Sequence, residues 1–427
     1  MFFELSLYGN DRKEIFFYRE EGDQIILPRG FLSSFEVGLR RSGFEPSPKY
    51  RTVDSKFSKR LTKIKLRPHQ EPAVQAILSS NQGIYQAPPG SGKTVTILEA
   101  VRRSKQKTLI LVDKVTIAEQ WRERAAEFLG IDIGFIGDGQ WDERDITVAL
   151  RQSIYARREE AEKSGFFQKF GLVVFDECHH SSSDSYQFII QKFSPTHLIG
   201  VSATPHKNEG MEKVIKLMLG KLIHRTTDSE LQGLNILMKP RVEVKETEFY
   251  AEYKSWVFNG KEMNNYQSVI KKLVNDPKRN AQIAFHISSL EKRKILVVTK
   301  RLSHIDTLKD LVSAIAPDTP ILKLTGKEKS KERQSILKDI ESLASYVIFS
   351  TVADEALDIP SLDTLFLVFP TKNAGLIEQQ IGRIERFSEG KESPLVIDYN
   401  DKSVSILNNQ FYKRLSVYRS KDMNISI

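Results

Sequence analysis

The 427-residue sequence lacks several features that define other classes of protein. Its single cysteine, Cys178, cannot form an internal disulfide, which suits the reducing cytoplasm. Its apolar runs, such as Leu172 to Phe175 and Ile295 to Val298, extend over only four or five residues, whereas a membrane-spanning helix needs roughly 20. No basic segment followed by a long apolar one opens the chain, so no secretory signal is predicted. Low-complexity tracts and fixed-period repeats are missing too.

The residues that are present indicate a globular chain with more than one domain. Hydrophobic residues make up 40% and charged residues 28% of the sequence, with glycine and proline spread along it. A chain of this length exceeds one ordinary core and predicts two domains plus a small module. The formal net charge of +9 suits a polyanionic partner such as nucleic acid, although charge alone leaves that choice open.

The first segment, residues 1–58, predicts a small β-rich accessory domain. Apolar and polar residues alternate in Phe2 to Tyr8 and in Glu14 to Tyr18, and the turn between them predicts a hairpin. Gln24 to Leu27 predicts a third strand, and the apolar spacing from Phe31 to Gly43 predicts one short helix.

Two α/β lobes are predicted after this segment, at 59–238 and 239–427. Short strand-like runs alternate with helical stretches, which is the pattern of a parallel sheet covered by helices, and the pattern stops and then restarts. Between the two runs of strands, Asp276-Pro277 predicts a helix start, with Asp as N-cap and Pro at the first helical position. The strand-like runs are Thr108 to Val112, Ile146 to Leu150, Leu172 to Phe175, Leu198 to Val201, Ile295 to Val298, Ile321 to Leu324, Tyr346 to Phe349, Leu365 to Val368 and Leu395 to Ile397.

The segment Ala87 to Thr94 is a P-loop that lies between a strand-like and a helical stretch. Gly90 and Gly92 let the backbone curl round phosphates, and the helix N-terminus that follows favours an anion. Lys93 would reach the β- and γ-phosphates, and the Thr94 hydroxyl would ligate Mg²⁺. The predicted cofactors are therefore ATP and Mg²⁺. The nucleotide-binding candidates here are Pro89, Gly90, Ser91, Gly92, Lys93 and Thr94.

Adjacent carboxylates end the apolar run Leu172 to Phe175. A buried strand would place them at its carboxyl end, where ligands bind in open α/β sheets. Asp176 would hold the Mg²⁺ shell, and Glu177 would orient and deprotonate the attacking water. The next residues, Cys178-His179-His180, include zinc-ligand types, but no second ligand cluster lies at a suitable spacing, so zinc is not predicted.

In this order, the motifs resemble those of helicase superfamily 2. Asp176 to His179 is a DExH box, Ser202 to Pro205 is the SATP motif that follows it, and Gln379 to Arg386 fits the QxxGRxxR motif. The resemblance covers about residues 65 to 400. It implies two RecA-like lobes with ATP held between them, and an ATP-dependent helicase. The residues implied to couple the ATP site to the other motifs are His180, Ser202 and Thr204.

The resemblance also implies catalytic residues in the second lobe, namely Gln379, Arg383 and Arg386. Arg383 and Arg386 are three residues apart and would lie on one face of a helix. From there they would reach the γ-phosphate as arginine fingers. Because such fingers act only when the lobes close, ATP binding and hydrolysis would become closing and opening of the lobes.

Two further segments are implied to hold the base and the sugar of the nucleotide. Leu66 to Gln70 resembles the Q-motif, in which Gln70 would bond adenine and Arg67 would stack on it or brace it. Glu355 to Pro360 resembles motif V, in which Asp358 would contact the ribose, although Ala356 stands where glycine is common.

Strand-end residues in both lobes are implied to hold nucleic acid by its backbone, without reading sequence. Lys114, with Gln120-Trp121, resembles motif Ia, and Gln152-Ser153 resembles motif Ib. The further candidates, all in the second lobe, are Lys300, Arg301, Thr325, Gly326, Ser350 and Thr351.

A finer likeness is to phage UvsW-type branch-migration helicases, with XPB and RadD-like helicases as neighbours. It is carried by Pro28-Arg29-Gly30, the DECHH box and the compact second lobe. It implies ATP-dependent remodelling of forks, D-loops or Holliday junctions in DNA recombination, repair or replication. We also expect a monomer in the cytoplasm, which is the host cytoplasm if the source is a phage. The accessory domain, residues 1–58, would bind duplex DNA.

Two rival interpretations stay open. A superfamily 2 RNA helicase would share the same motifs, since these hold backbone rather than bases. A non-motor binding module, whose P-loop only switches a surface, is the other, although Arg383 and Arg386 argue against it.

A separate feature is Trp256 to Lys261, where Asn-Gly between apolar residues predicts a hairpin turn. This hairpin would be either a wedge that stacks on a DNA junction or an ordinary packed loop.

Overall fold

The computed structural model describes residues 3–6, 12–15, 19–21, 24–26, 29–45, 52–178, 184–203, 209–258, 261–325, 336–337, 339–351 and 359–427. The chain divides into two compact units, Met1–Glu230 and Leu231–Ile427. Among the helices in the described ranges, none is both long enough and apolar enough to cross a membrane.

The first unit contains the N-terminal segment and a large sheet with helices on both faces. Its described elements, in chain order, are β1 (Phe3–Ser6), β2 (Arg12–Ile15), β3 (Arg19–Glu21), β4 (Gln24–Ile26), α1 (Arg29–Arg41), α2 (Gln70–Ser79), β5 (Gln82–Gln86), α3 (Lys93–Ser104), β6 (Thr108–Val112), α4 (Val115–Leu129), β7 (Gly134–Gly137), β8 (Gln140–Asp142), β9 (Ile146–Leu150), α5 (Arg151–Ala156), α6 (Arg158–Lys163), β10 (Leu172–Phe175), α7 (Asp184–Lys192), β11 (His197–Ser202), α8 (Glu209–Leu219), β12 (Leu222–Arg225) and α9 (Asp228–Gly233), which runs into the second unit.

The large sheet of the first unit has eight strands within the described ranges, in the order β12, β5, β11, β10, β6, β9, β7, β8. All neighbours are parallel except β7 and β8, which form an antiparallel pair at one edge. The central strands β6 and β10 are buried throughout, which explains why their sequences are nearly continuous apolar runs. Because carboxyl ends of parallel strands share one edge, the loops after β5, β6, β10 and β11 meet there.

The N-terminal segment contributes two antiparallel pairs of strands and one helix. Phe3 lies opposite Ile15 in the pair formed by β1 and β2, so the predicted first hairpin is confirmed. Helix α1 begins against α8, and a β-carbon on Gly30 would lie 2.2 Å from the carbonyl oxygen of Lys216. The Gln82 side-chain amide also donates to the carbonyl of Arg29 at 2.8 Å. Glycine is therefore required for this close approach of the two helices.

The second unit is built on a sheet whose neighbouring strands are all parallel. Over the described residues its order is β17, β18, β16, β19, β20, β13, β21, with the ranges that follow. The described elements are β13 (Arg241–Glu246), β14 (Ser255–Phe258), β15 (Lys261–Asn264), α10 (Tyr266–Val274), α11 (Pro277–Ser288), β16 (Lys294–Val298), α12 (Leu302–Ile315), β17 (Ile321–Leu324), β18 (Tyr346–Ser350), β19 (Thr364–Leu367), α13 (Ala374–Ile381), β20 (Leu395–Asn400), α14 (Ser405–Ser420) and β21 (Asn424–Ser426).

Two tandem parallel-sheet lobes were the predicted fold class, and the structure confirms them. The predicted helix start is confirmed as well, because the Asp276 carboxylate accepts a hydrogen bond from the backbone N–H of Arg279 at 2.7 Å, with Pro277 at the first position of α11. Each sheet packs on both faces against apolar helix surfaces, so its buried strands position the loops at their carboxyl ends rigidly.

Two buried arginine–aspartate pairs brace the carboxyl edge of the second sheet. Arg279 Nε donates to Asp401 at 2.8 Å, and Arg414 Nε donates to Asp398 at 2.8 Å. Arg414 also donates to the carbonyl of Thr371 at 3.4 Å, shortly before α13 begins. Removing one partner of such a buried pair typically costs about 3–5 kcal/mol, because a charge is left buried without its counter-ion. The pair of Arg414 with Asp398 therefore helps to hold the segment that leads into α13.

Strands β14 and β15 confirm the hairpin predicted near Trp256. Trp256 lies opposite Met263 in the antiparallel pair, whereas the turn residues Asn259 and Gly260 lie outside the described ranges. Trp256 is 48% exposed and Val257 is 73% exposed, so this hairpin presents apolar side chains to solvent. A wedge function for it stays a prediction.

Candidate functional site

The loop between β5 and α3 has the geometry of a phosphate cradle. Gly90 and Gly92 adopt left-handed backbone conformations, with φ of 80° and 82°, which are strained for residues with a β-carbon. Helix α3 begins at Lys93, directly after this curl, and helix N-termini offer N–H groups to anions. Lys93 Nζ donates to the carbonyl of Ala87 at 2.9 Å, so the ammonium group folds back over the loop. The backbone conformation of this loop therefore suits an anion.

The predicted base-binding segment packs directly against this loop. Gln70 is buried, its Nε2 donates to the carbonyl of Gly92 at 3.3 Å, and its Oε1 accepts from the backbone N–H of Arg67 at 2.8 Å. The ring of His69 lies 2.8 Å from the carbonyl oxygen of Ser91. Each atom of a primary amide can make a second hydrogen bond, so Gln70 keeps the capacity to bond adenine. Base contacts by Arg67 and Gln70 stay predictions.

Asp176 and Glu177 follow β10 at the same edge of the sheet. Oδ2 of Asp176 accepts from the indole N–H of Trp121 at 2.9 Å, and Oδ1 accepts from the backbone N–H of Glu177 at 3.0 Å. The side chain of Asp176 is half-buried, and this desolvation, together with the adjacent Glu177 carboxylate, raises its pKa above the usual range for an aspartate. The hydrogen bond from Trp121 and the charge of Lys93 act in the opposite direction and lower this pKa.

Glu177 has an unusual backbone conformation. Its φ is 46°, in the left-handed region that non-glycine residues seldom occupy. Such conformations cost on the order of 1–3 kcal/mol and cluster at functional sites. The backbone of Glu177 therefore marks this position as a candidate functional residue at the carboxyl end of β10.

The groups on this edge fit ATP with Mg²⁺. The glycine loop and Lys93 supply N–H groups and a cation for phosphates, and the Thr94 hydroxyl and Asp176 carboxylate supply the hard oxygen ligands that Mg²⁺ prefers. Cys178, considered above as a zinc ligand, is completely buried, and burial raises the pKa of its thiol. Its neighbours His179 and His180 lie outside the described ranges.

The SATP motif begins at the end of β11, beside the P-loop strand. The backbone N–H of Ala87 donates to the carbonyl of Ser202 at 3.2 Å, and Gln86 Nε2 donates to the carbonyl of Ala203 at 3.3 Å. Ser202 is fully buried, and Thr204 lies outside the described ranges. The start of this motif is therefore tied to the strand that leads into the phosphate cradle.

The predicted nucleic-acid contacts of the first unit are joined by an ion pair. Lys114 is the N-cap of α4 and is exposed, while Gln152 and Ser153 lie in the first turn of α5. Arg151, at the start of α5, donates through Nε to the carboxylate of Asp113 at 2.8 Å. This pair holds the start of α4 beside α5, so motif Ia and motif Ib form one surface. Their contacts with nucleic acid stay predictions.

In the second unit, the predicted contacts follow three neighbouring strands. Lys300 and Arg301 come after β16, Thr325 comes after β17, Ser350 ends β18, and Thr351 follows it. The strand order places these three carboxyl ends side by side. The side chains differ in exposure, since Lys300 and Arg301 are exposed whereas Ser350 is fully buried. Two other predicted residues, Gly326 and Asp358, lie outside the described ranges.

The expectation that Arg383 and Arg386 share a helix face is wrong. Helix α13 contains Gln379 but ends at Ile381; Gly382 is its C-cap, and Arg383 lies in the turn that follows. Ile384 and Glu385 are buried, and this burial draws the chain out of the helix and into the core of the unit. Arg386 then forms a β-bridge with Leu237. Both arginines are half-buried at this turn.

Lys391 and Lys421 hold the segment that carries these arginines. Lys391 Nζ donates to the carbonyl of Arg386 at 2.6 Å and to the carbonyl of Pro360 at 3.0 Å. Burial lowers the pKa of Lys391 to about 8. Lys421 Nζ pairs with the buried carboxylate of Glu385 at 3.0 Å. The turn is therefore anchored through its backbone on one side and through Glu385 on the other.

Three contacts with the site were not found from the sequence. His69 reaches the P-loop, Trp121 reaches Asp176, and Lys391 reaches the arginine-bearing turn. His69 and Trp121 lie within motifs that were recognised, but a motif match does not say which atoms meet. For Lys391 the sequence carries no signal, since no motif distinguishes this lysine among the 64 Lys and Arg residues of the chain.

Two family models match the chain. The model described as "Type III restriction enzyme, res subunit" matches residues 63–207. The model described as "Helicase conserved C-terminal domain" matches residues 277–388. The first match contains the P-loop and the DExH box, and the second contains α13 and the arginine-bearing turn.

Several helicases are similar to the chain in sequence. "DNA 3'-5' translocase XPB2" of Sulfurisphaera tokodaii is 31% identical over 365 residues, which cover 78% of this chain and 81% of that protein. A protein of Acanthamoeba polyphaga mimivirus, whose assigned name is that of an ATP-dependent RNA helicase, is 26% identical over 84% of this chain and 69% of its own. "Probable helicase D10" of Escherichia phage T5 is 24% identical over 79% of this chain and 71% of its own.

Solved structures share the fold. One is that of the "ATP-dependent Type ISP restriction-modification enzyme LlaBIII bound to DNA", with a TM-score of 0.64 and 17% identity. The match covers 84% of this chain and 30% of that enzyme, so the chain spans less than a third of its length.

Proposed function

Because the chain belongs to the superfamily 2 helicases, we propose that it is an ATP-driven motor that remodels branched DNA. ATP-dependent helicase activity is the property of the family. The finer parts of the proposal are the choice of DNA and the migration of branches at forks, D-loops or Holliday junctions, as in UvsW-type helicases. We propose that it works as a monomer, with residues 1–58 as an accessory domain on duplex DNA.

The roles of the site residues follow from their chemistry. Lys93 would hold the β- and γ-phosphates in the glycine loop. Thr94 and Asp176 would hold Mg²⁺, whose positive charge would neutralise that of the phosphates. Glu177 would accept the proton of the attacking water. Arg383 and Arg386 would stabilise the charge on the γ-phosphate when the lobes close, which links hydrolysis to lobe movement.

The observation that carries the choice of DNA is the similarity to a protein named as a DNA 3'-5' translocase, at 31% identity over 81% of that protein. The net charge of +9 agrees with a polyanion of either kind. An RNA helicase is the second candidate, favoured by the mimivirus relative. The strand-end residues Lys300, Arg301 and Thr351 would hold phosphates in both cases, because backbone contacts carry no sequence information.

Branch migration suits a motor of this size. Each step breaks one base pair and forms another, so the stacking free energy of roughly 1.4 kcal/mol per step is nearly returned. ATP is then needed only for direction. A helicase that strips strands must keep them apart, whereas the described part of this chain contains two sheet-based units and short N-terminal elements.

The test is ATP hydrolysis ranked over nucleic acids. Single-stranded DNA, duplex DNA, a four-way DNA junction and RNA are compared at equal nucleotide concentration. We expect the junction to stimulate hydrolysis most, duplex DNA next, and RNA least. Stimulation by RNA alone would remove the DNA proposal and leave the family assignment intact.

A further inference from the structure

Trp121 is a buried side chain with a polar atom directed at the candidate metal site. It lies in the second turn of α4 and is 2% exposed. Its indole N–H donates to Oδ2 of Asp176 at 2.9 Å. Phenylalanine or leucine could fill an apolar core position without any polar atom. A buried tryptophan, in contrast, has an N–H group that needs a hydrogen-bond acceptor. The N–H of Trp121 therefore adds something beyond packing.

The second hydrogen bond to Asp176 shows what this contact does. Oδ1 accepts from the backbone N–H of Glu177 at 3.0 Å, and the backbone N–H of Asp176 itself donates to Leu111 on β6 at 3.0 Å. The carboxylate is thus held at both oxygens, one by the turn and one by Trp121. Each oxygen keeps lone pairs for a cation. Because indole is a neutral donor, it orients the carboxylate without cancelling the negative charge that a cation needs.

The position of Trp121 in α4 connects this carboxylate with another surface. The N-cap of α4 is Lys114, a predicted nucleic-acid contact, and the preceding residue Asp113 pairs with Arg151 at 2.8 Å. Lys114 and Trp121 belong to one rigid helix with its own intrahelical hydrogen bonds, about two turns apart. A small displacement of α4 when phosphates bind at its start would therefore change the hydrogen bond to Asp176 directly.

We propose that Trp121 is a positioning residue that orients the Asp176 carboxylate for Mg²⁺ and links it to the nucleic-acid-binding start of α4. The inference rests on the proposed function, in which Asp176 holds Mg²⁺ and Lys114 contacts nucleic acid. Trp121 would then contribute to the stimulation of ATP hydrolysis by DNA, because DNA bound at Lys114 would alter metal binding at Asp176.

The test compares Trp121→Phe with Trp141→Phe. Phenylalanine keeps an aromatic ring but removes the N–H. Trp141 is the matched control, because it lies on β8 with its ring 5.2 Å from that of Phe166, among different side chains. Binding of a fluorescent non-hydrolysable ATP analogue is measured while MgCl₂ is titrated, with and without duplex DNA.

We expect Trp121→Phe to raise the half-saturating Mg²⁺ concentration about tenfold, the effect of losing one hydrogen bond to a charged group. Analogue binding without Mg²⁺ should stay unchanged, whereas a merely structural defect would weaken it too. In the wild-type protein, DNA should shift the half-saturating Mg²⁺ concentration. The Trp121→Phe substitution should abolish this shift. An unaltered Mg²⁺ requirement in Trp121→Phe would overturn the positioning role, and a retained DNA shift would overturn the link.

Tryptophan fluorescence provides an independent reading, because the chain has three tryptophans. A protein that keeps only Trp121 should change its emission when Mg²⁺ joins the bound analogue, and one that keeps only Trp141 should not. Equal responses of the two would contradict the proposal. If the unchanged chain shows no Mg²⁺-dependent binding of the analogue, the proposed function fails first, and the two failures are thereby distinguished.

Discussion

A Glu177→Gln protein is expected to hydrolyse ATP about a hundredfold to ten-thousandfold more slowly than the unchanged chain, the range for losing a general base. Glutamine has nearly the same shape and hydrogen-bonds well, but it does not accept the proton of the attacking water. The left-handed backbone of this residue, with φ of 46°, costs about the same free energy with either side chain. ATP binding should therefore survive, since Lys93 and the glycine loop are untouched.

Phosphate release at saturating ATP and duplex DNA measures this effect, and a fluorescent ATP analogue measures binding. The matched control is Glu143→Gln, since Glu143 is an acidic residue whose carboxylate accepts from Lys169 Nζ at 3.0 Å, on the surface of the same unit. A Glu177→Gln rate within about threefold of the unchanged chain would assign the general base to another group.

Arg386→Ala is expected to lower ATP hydrolysis by about 10³ to 10⁵, the range for losing an arginine finger. Two of the contacts that hold this position are made by its backbone: Lys391 Nζ donates to its carbonyl at 2.6 Å, and it bridges Leu237. Alanine keeps both contacts. The loss should therefore be catalytic, with the fold of the second unit intact.

Circular dichroism and thermal melting check the fold of Arg386→Ala, and phosphate release checks its activity. Arg241→Ala is the matched control, because Arg241 is an arginine of the same unit on β13, 3.7 Å from Glu243. Normal hydrolysis by a folded Arg386→Ala protein would contradict the finger role and would leave Arg383 as the candidate.

The sheets were predictable from the sequence because their central strands are buried on both faces. Runs such as Leu172 to Phe175 and Ile295 to Val298 have no solvent-facing positions, so they are apolar throughout and stand out. Strand β13, Arg241–Glu246, was not predicted. It lies between β20 and the short edge strand β21, and its charged residues alternate with Val242 and Val244, so no apolar run marks it.

The candidate site was predictable in its residue types but not in its contacts. The P-loop and the DExH box are short, continuous segments whose chemistry is local, so Lys93, Asp176 and Glu177 could be assigned from spacing. The bond from Trp121 to Asp176 joins residues that lie 55 apart in sequence, and it depends on the pairing of β6 with β10. The turn at Gly382 depends on burial of side chains in the core, which helical spacing does not report.

The most direct test of the central claim is ATP-driven migration of a mobile four-way DNA junction, measured by fluorescence as paired strands exchange partners. The account predicts exchange with ATP and Mg²⁺, none with a non-hydrolysable analogue, and none with Glu177→Gln. Hydrolysis of ATP that is stimulated by the junction yet moves no branch would contradict it.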